Sequence, residues 1–215
     1  MQVDKKEALR YLGVRGEPDT QTLALIDDCI PRLASVAAFK YTALELPVTI
    51  ADDAVSLSGI TVKSRALARH IAGSAHALLF AATLGAGVDR LMQAYAATDI
   101  PRAAALQACA ASLLESGADE AQACYEKEYA VKGLYLRPRF SPGYGDFSLA
   151  VQPDILRLLD AQKRIGLFAT KNNMLTPTKS ITAVIGVSDQ PCGGKPDCAA
   201  CSKVNCAFRK EEDSR

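Results

Sequence analysis

Long apolar runs, a dominant sign of charge, and histidine are all scarce or missing in this chain of 215 residues. The longest apolar stretches, such as "HALLFAATLGAGV" at residues 76–88, fall well short of the roughly 20 residues that cross a bilayer. Lys and Arg number 25 and Asp and Glu 24, so no overall field draws the chain to nucleic acid or to an anionic membrane. The opening "MQVDKKEALRYLG" carries charge where a secretory signal needs its apolar segment. These absences predict a cytoplasmic protein whose partners are small molecules or other proteins. Histidine occurs only at positions 70 and 76, far from the cysteine-rich end, which leaves any metal held there to sulfur.

About half of the residues (49%) are apolar, enough to bury one sizeable core. Helical signals cover "DKKEALRYLG", stopped by Gly13, and residues 18–39, with Pro18 and Asp19 suited to the first turn. Residues 40–50 and 54–60 have the β-branched, alternating character of two strands joined by a hairpin through "ADD". A short helix at 64–73, a buried strand at 76–85 and a helix at 86–98 follow. The longest helical segment, 101–130, starts at Pro101. Then come a strand-like 133–140, a turn "SPGY", one helix over 153–166 ended by Gly166, and a strand at 180–188. No repeat, heptad run or low-complexity linker interrupts the series. The pattern predicts an α+β fold with helices packed on an antiparallel or mixed sheet, a domain over residues 1–189, and a small Cys-rich appendage over 190–215.

The stretch "RPRFSPGYGDF", residues 137–147, is the first candidate site. Pro142 and Gly143 stand in the order a type II turn requires, since Pro presets φ and Gly accepts the positive φ that follows. Arg139 offers a planar fork for a carboxylate and Tyr144 a flat face with a polar tip. An Arg followed four residues on by Gly-Tyr, after a long helix, resembles the S-adenosylmethionine-binding signature of the activation domain of cobalamin-dependent methionine synthase. "EALRYLG", "LLFAATLGAGVDRLM", "ILRLLDAQKRIG" and "MLTPTKSITAVIGV" are similar to free-standing forms of that domain, and the likeness covers roughly residues 5 to 190.

The resemblance implies that Arg139 addresses the carboxylate of the ligand's methionine end. It also implies that the Ser141 and Gly143 backbone lines the ligand, that Tyr144 packs beside it, and that Glu115 meets its ammonium. Read from spacing alone, Glu115 lies at the edge of an apolar stripe with Ala111, Leu114 and Ala118, where a carboxylate needs a cationic partner. The chain has no Trp and so lacks the Trp-containing segment of larger members, and their early ligand-contacting Asp has no match here. It has no DxHxxG corrinoid motif either, so the cobalamin would come on a partner.

The second constellation is the tail, where Cys192, Cys198, Cys201 and Cys206 fall within fifteen residues. Four thiolates suit tetrahedral zinc or a 4Fe-4S cluster, and the spacing excludes neither; redox-active or unliganded thiols are the third reading. A cluster would have a use, because remethylation of cob(II)alamin requires an electron. The other cysteines, Cys29, Cys109 and Cys124, sit singly in helical, apolar-rich segments where a thiol acts as a small hydrophobe. "AATLGAGVD" lacks the full GxGxxG and the Walker lysine, which makes it a tight strand-to-helix turn with Asp89 near the helix start. "TPTKS", with Lys179, leads into the last strand.

Together these readings predict an accessory subunit of the methyltransferase class serving methionine biosynthesis. It would bind S-adenosylmethionine and dock on a cobalamin-dependent methionine synthase or a related corrinoid protein, with an electron donor such as flavodoxin or ferredoxin. Two rivals are an iron–sulfur reductive activator of another corrinoid methyltransferase and a non-catalytic adaptor with a zinc-stapled tail. Metal analysis and a visible spectrum of anaerobically purified protein test the tail. Iron with broad visible absorption, lost when Cys198 and Cys201 become Ser, is expected for the cluster, and zinc without iron removes the electron-port reading.

Overall fold

The computed structural model describes residues 1–191. The Cys192, Cys198, Cys201 and Cys206 site, and with it all but the first two residues of the appendage, lies outside the described residues. In chain order the elements are α1 (Lys5–Tyr11), α2 (Thr20–Ala34), β1 (Lys40–Ala51), β2 (Ala54–Leu57), β3 (Ile60–Lys63), α3 (Arg65–His70), β4 (His76–Thr83) and α4 (Ala86–Ala96). These are followed by α5 (Ile100–Val131), β5 (Tyr135–Leu136), α6 (Gln152–Leu158), α7 (Ala161–Ile165), β6 (Phe168–Ala169), β7 (Leu175–Thr176) and β8 (Ser180–Ser188). Six strands form one sheet in the order β3-β2-β1-β4-β8-β5, while β6 and β7 make a separate ribbon. Every strand pair among the described residues is antiparallel, which resolves the predicted alternatives and gives the α+β class.

The sheet is organised around β4, which pairs with β1 on one side and β8 on the other over its whole length. Its apolar run is buried on both faces. Leu78, Phe80 and Ala82 join Ile185 and Val187 of β8 under α1, α2, α4 and α5. Ala77, Leu79 and Ala81 join Val184 beneath β2, β3, α3, α6 and α7. The period of two along a strand sorts these residues between two cores, so the molecule has three layers with the sheet in the middle.

Local signals account for most boundaries. Asp4, Asp19, Ser64 and Asp99 cap α1, α2, α3 and α5 by accepting from backbone N–H groups in the first turn. Asp19 is therefore the cap of α2, with Pro18 outside it, and that helix ends at Ala34 rather than running to residue 39. Pro31 lies inside its last turn and removes a backbone donor there. The expected strand at 54–60 is two strands. Asp52 and Asp53 turn β1 into β2, and Ser58 and Gly59 turn β2 into β3, all four with positive φ as two-residue hairpins require.

The single helix expected over 153–166 is also two, because Asp160 takes a left-handed conformation (φ 47°) between α6 and α7. Gly166 closes α7 as expected, with φ 70° and its N–H on the Gln162 carbonyl. The glycines of "AATLGAGVD" have conformational and packing roles. Gly85 has φ 83°, and a Cβ on Gly87 would stand 2.6 Å from the Val36 carbonyl oxygen. Asp89, in the first turn of α4, accepts from Thr178 N–H (2.9 Å) and Oγ1 (2.7 Å), tying the approach to β8 onto that helix.

Phe80 is fully buried at the centre of β4 and stacks on Tyr41 of β1, with ring centroids 6.1 Å apart. Phe80→Ala is expected to lower unfolding stability by about 3–5 kcal/mol in urea titration, the usual cost of deleting a core aromatic.

Candidate functional site

The candidate residues lie where β5 runs along the outer edge of β8. Tyr135 and Leu136 pair with Ser188 and Val187, and Arg137 N–H continues the ladder to the Gly186 carbonyl. Pairing resumes with Phe140 opposite Val184. From Arg137 to Phe140 the edge advances three residues while β8 advances two, so one extra residue is accommodated at Pro138 and Arg139. This is a β-bulge. Pro138 has no N–H to give a ladder, and a bulge on an edge is where proline is tolerated. The strand expected over 133–140 is accordingly reduced to β5 and one isolated bridge.

The bulge decides which way Arg139 points. In an unbroken strand Arg137 and Arg139 would share a face. Instead Arg137 Nη2 donates to the Ala72 carbonyl just beyond α3 (3.0 Å), while Arg139 crosses to α5. The flanking residues are fixed on the α3 side. The Pro138 carbonyl can only accept, so His70 carries its proton on Nε2 and donates across 2.7 Å. The His70 ring also lies 4.7 Å from that of Phe140, which in turn stacks on Phe147.

On the other side, α5 presents Glu115, Asp119 and Gln122 at the spacing that aligns side chains along one helix face. Arg139 Nη2 donates to Glu115 Oε2 at 3.0 Å and to Asp119 Oδ1 at 2.6 Å, and Nη1 donates to Gln122 Oε1 at 2.9 Å. The Arg139 side chain is mostly covered (15% exposed), that of Glu115 is 44% exposed and that of Asp119 72%. Two carboxylates and one cation leave the cluster with a net negative charge. Tyr11 of α1 borders it. Burial, and then the field of Glu115, pushes its phenol above its ordinary value.

The structure thus brings Glu115 and Arg139 into direct contact, although they are 24 residues apart in the chain. Ser141, Gly143 and Tyr144 form the turn as the sequence suggests. Tyr144 N–H donates to the Ser141 carbonyl at 3.1 Å, and Gly143 has φ 97°, as the third position of a type II turn needs. The Gly143 N–H is taken by the Phe147 carbonyl at 2.7 Å. Tyr144 is 58% exposed and meets Phe140 edge-on at 5.9 Å. A cleft of about 550 Å³ opens beside the turn between Lys63, Arg65, Arg69 and Asp146; Arg139 and Glu115 are not among its walls.

Asp119, Gln122, Tyr11 and Asp146 were not singled out from the sequence. Asp119 was findable, being one helical turn beyond Glu115. Asp146 anchors the turn. Its carboxylate accepts from Ser64 Oγ (2.6 Å) and from the backbone N–H of Arg65 (2.9 Å) and Ala66 (3.0 Å), clamping residues 141–147 onto the start of α3. Gly145 allows the approach, since a Cβ there would stand 2.8 Å from that of Ala66.

No family model matches the chain, and no curated protein matches it. Among solved structures the chain is similar to one described as "Crystal Structure of the MetH Reactivation Domain bound to AdoHcy". The TM-score is 0.65 at 16% identity, covering 86% of this chain and 73% of that one. At this identity the likeness is one of fold: the α+β architecture described above is that of the reactivation domain.

The hydrogen bonds to Asp146 hold its carboxyl at about 2, below the ordinary 3.8, with Ser64 the largest cause. A depressed value in the folded chain stabilises fully above 3.8, and the contribution is lost as pH falls toward 2. The difference in melting temperature between wild type and Asp146→Asn is therefore expected to be constant near neutrality and to shrink across that acid window.

Proposed function

We propose that this chain binds S-adenosylmethionine at Arg139 and Glu115 and supports the reductive reactivation of cobalamin carried by a methionine synthase or related corrinoid partner. The observation that carries the reading is the Arg139–Glu115 pair at the edge of a reactivation-domain fold. The residues fit the ligand's amino-acid end. Arg139 offers a fork for a carboxylate, and Glu115, 3.0 Å away, offers an anion for an ammonium. An α-amino acid carries both groups on one carbon.

When bound, S-adenosylmethionine supplies a methyl group made electrophilic by its sulfonium. The protein's own part is positional. Arg139 is aimed by the bulge and screened from water, so its charge acts on a bound carboxylate at lower effective dielectric than a surface arginine would. Glu115, fixed on a 32-residue helix, sets the second point of attachment. The turn 141–144 is held to α3 by Asp146 and leaves the exposed Tyr144 ring on the same edge of the sheet as Arg139. No side chain of the cluster needs to act as a nucleophile. The Cys-rich tail, if it holds a cluster, would relay the electron from a separate donor protein to the cobalt; zinc there would leave that donor to reach the cobalt without a relay on this chain.

Isothermal calorimetry tests the reading. Wild type is expected to bind S-adenosylmethionine, and Arg139→Ala to weaken it by about 10- to 100-fold, the scale of a lost charge-assisted fork. No binding by wild type, or undiminished binding by a folded Arg139→Ala, would sink it.

A further inference from the structure

The Arg139 fork is already in use within the chain. Nη2 carries two N–H groups, and two carboxylates already engage that nitrogen, Glu115 at 3.0 Å and Asp119 at 2.6 Å. A guanidinium grips a carboxylate in two bidentate ways, through Nη1 with Nη2 or through Nε with Nη2. Both use Nη2. A ligand carboxylate that takes Arg139 in a fork must therefore displace one of the chain's own acidic side chains.

Asp119 is the one that can leave. It is 72% exposed against 44% for Glu115, so most of its hydration is kept while bound and the rest is regained on release. Exposed ion pairs of this kind contribute little to stability. While in place, Asp119 helps keep a mostly buried guanidinium from standing unpaired, which is the costly state. It also holds Arg139 toward α5, together with Gln122 on Nη1.

We infer that Asp119 is an internal substitute for the ligand's carboxylate, occupying its place on Arg139 and setting both the affinity and the selectivity of the site. The inference rests on the proposed reading that Arg139 receives a carboxylate. It adds a residue to the site and a rule for its ligands. A molecule with a free carboxylate can exchange with Asp119, whereas one lacking it leaves the internal pair closed and gains nothing from Arg139.

The test is calorimetry with two probes, S-adenosylhomocysteine and 5′-methylthioadenosine, which share a thioether nucleoside but differ in the amino-acid end. Asp119→Asn is expected to bind S-adenosylhomocysteine about threefold more tightly than wild type, the scale of an exposed ion pair. It should leave 5′-methylthioadenosine unchanged, and the gain should disappear when Arg139 is also changed to Ala. Binding by Asp119→Asn with none detectable in wild type supports the inference more strongly. If wild type binds, Arg139→Ala loses the ligand and Asp119→Asn binds equally or more weakly, the inference falls and the binding site stands. If neither wild type nor Asp119→Asn binds S-adenosylhomocysteine, the binding reading itself fails and takes the inference with it. Circular dichroism of each variant establishes that losses are not unfolding.

Discussion

The constraint on which the rest of the molecule depends is the burial of β4 on both faces. A strand that is polar on both faces can tolerate a slip in register, but β4 cannot, because a shift of one residue would exchange Leu78, Phe80 and Ala82 with Ala77, Leu79 and Ala81 between the two cores. The pairing of β4 with β8 is thereby set, and with it the height at which the outer edge of β8 meets residues 135–140. The candidate site stands two strands away from the residues that fix its position.

From that edge to the chemistry there is one irregular step. The two cores need arginines on neither side, yet the chain places Arg137 and Arg139 at the boundary between them and sends them opposite ways. The extra residue at Pro138 and Arg139 interrupts the ladder, His70 donates to the Pro138 carbonyl, and Phe140 re-enters the apolar layer against Phe147. The polar part of the site is therefore framed by apolar contacts on the α3 side and by the long helix on the other.

The elements legible in the sequence were those announced by strong local signals. Examples are the apolar run of β4, the Pro101 start of α5, the Gly166 stop and the Pro-Gly turn. Those misjudged turn on single residues adopting left-handed backbone. Ser58 and Gly59 divide what reads as one strand, and Asp160 divides what reads as one helix. The first was signalled by a Ser-Gly dipeptide. The second was not signalled, since an Asp between Leu159 and Ala161 suits helix periodicity well enough. The site was half legible. Glu115 and Arg139 could be named from the residues and the resemblance, but their contact through Nη2, and the shared claim of Asp119 on it, are tertiary facts that no spacing within either segment contains.

The bulge carries one further consequence, for how chains of this kind are compared. Phe140 pairs opposite Val184 and packs in the core beneath α3, α6 and α7, so the residue just before it faces α5. Removing one residue between Leu136 and Arg139 would restore a regular ladder and still leave the arginine on the α5 side. Inserting one between Arg139 and Phe140 would put the arginine two positions from that anchor, on the α3 side, with its Gly-Tyr intact downstream. For this fold, the step from the arginine to the aromatic residue that re-enters the ladder is a better criterion of a competent site than the interval to the Gly-Tyr.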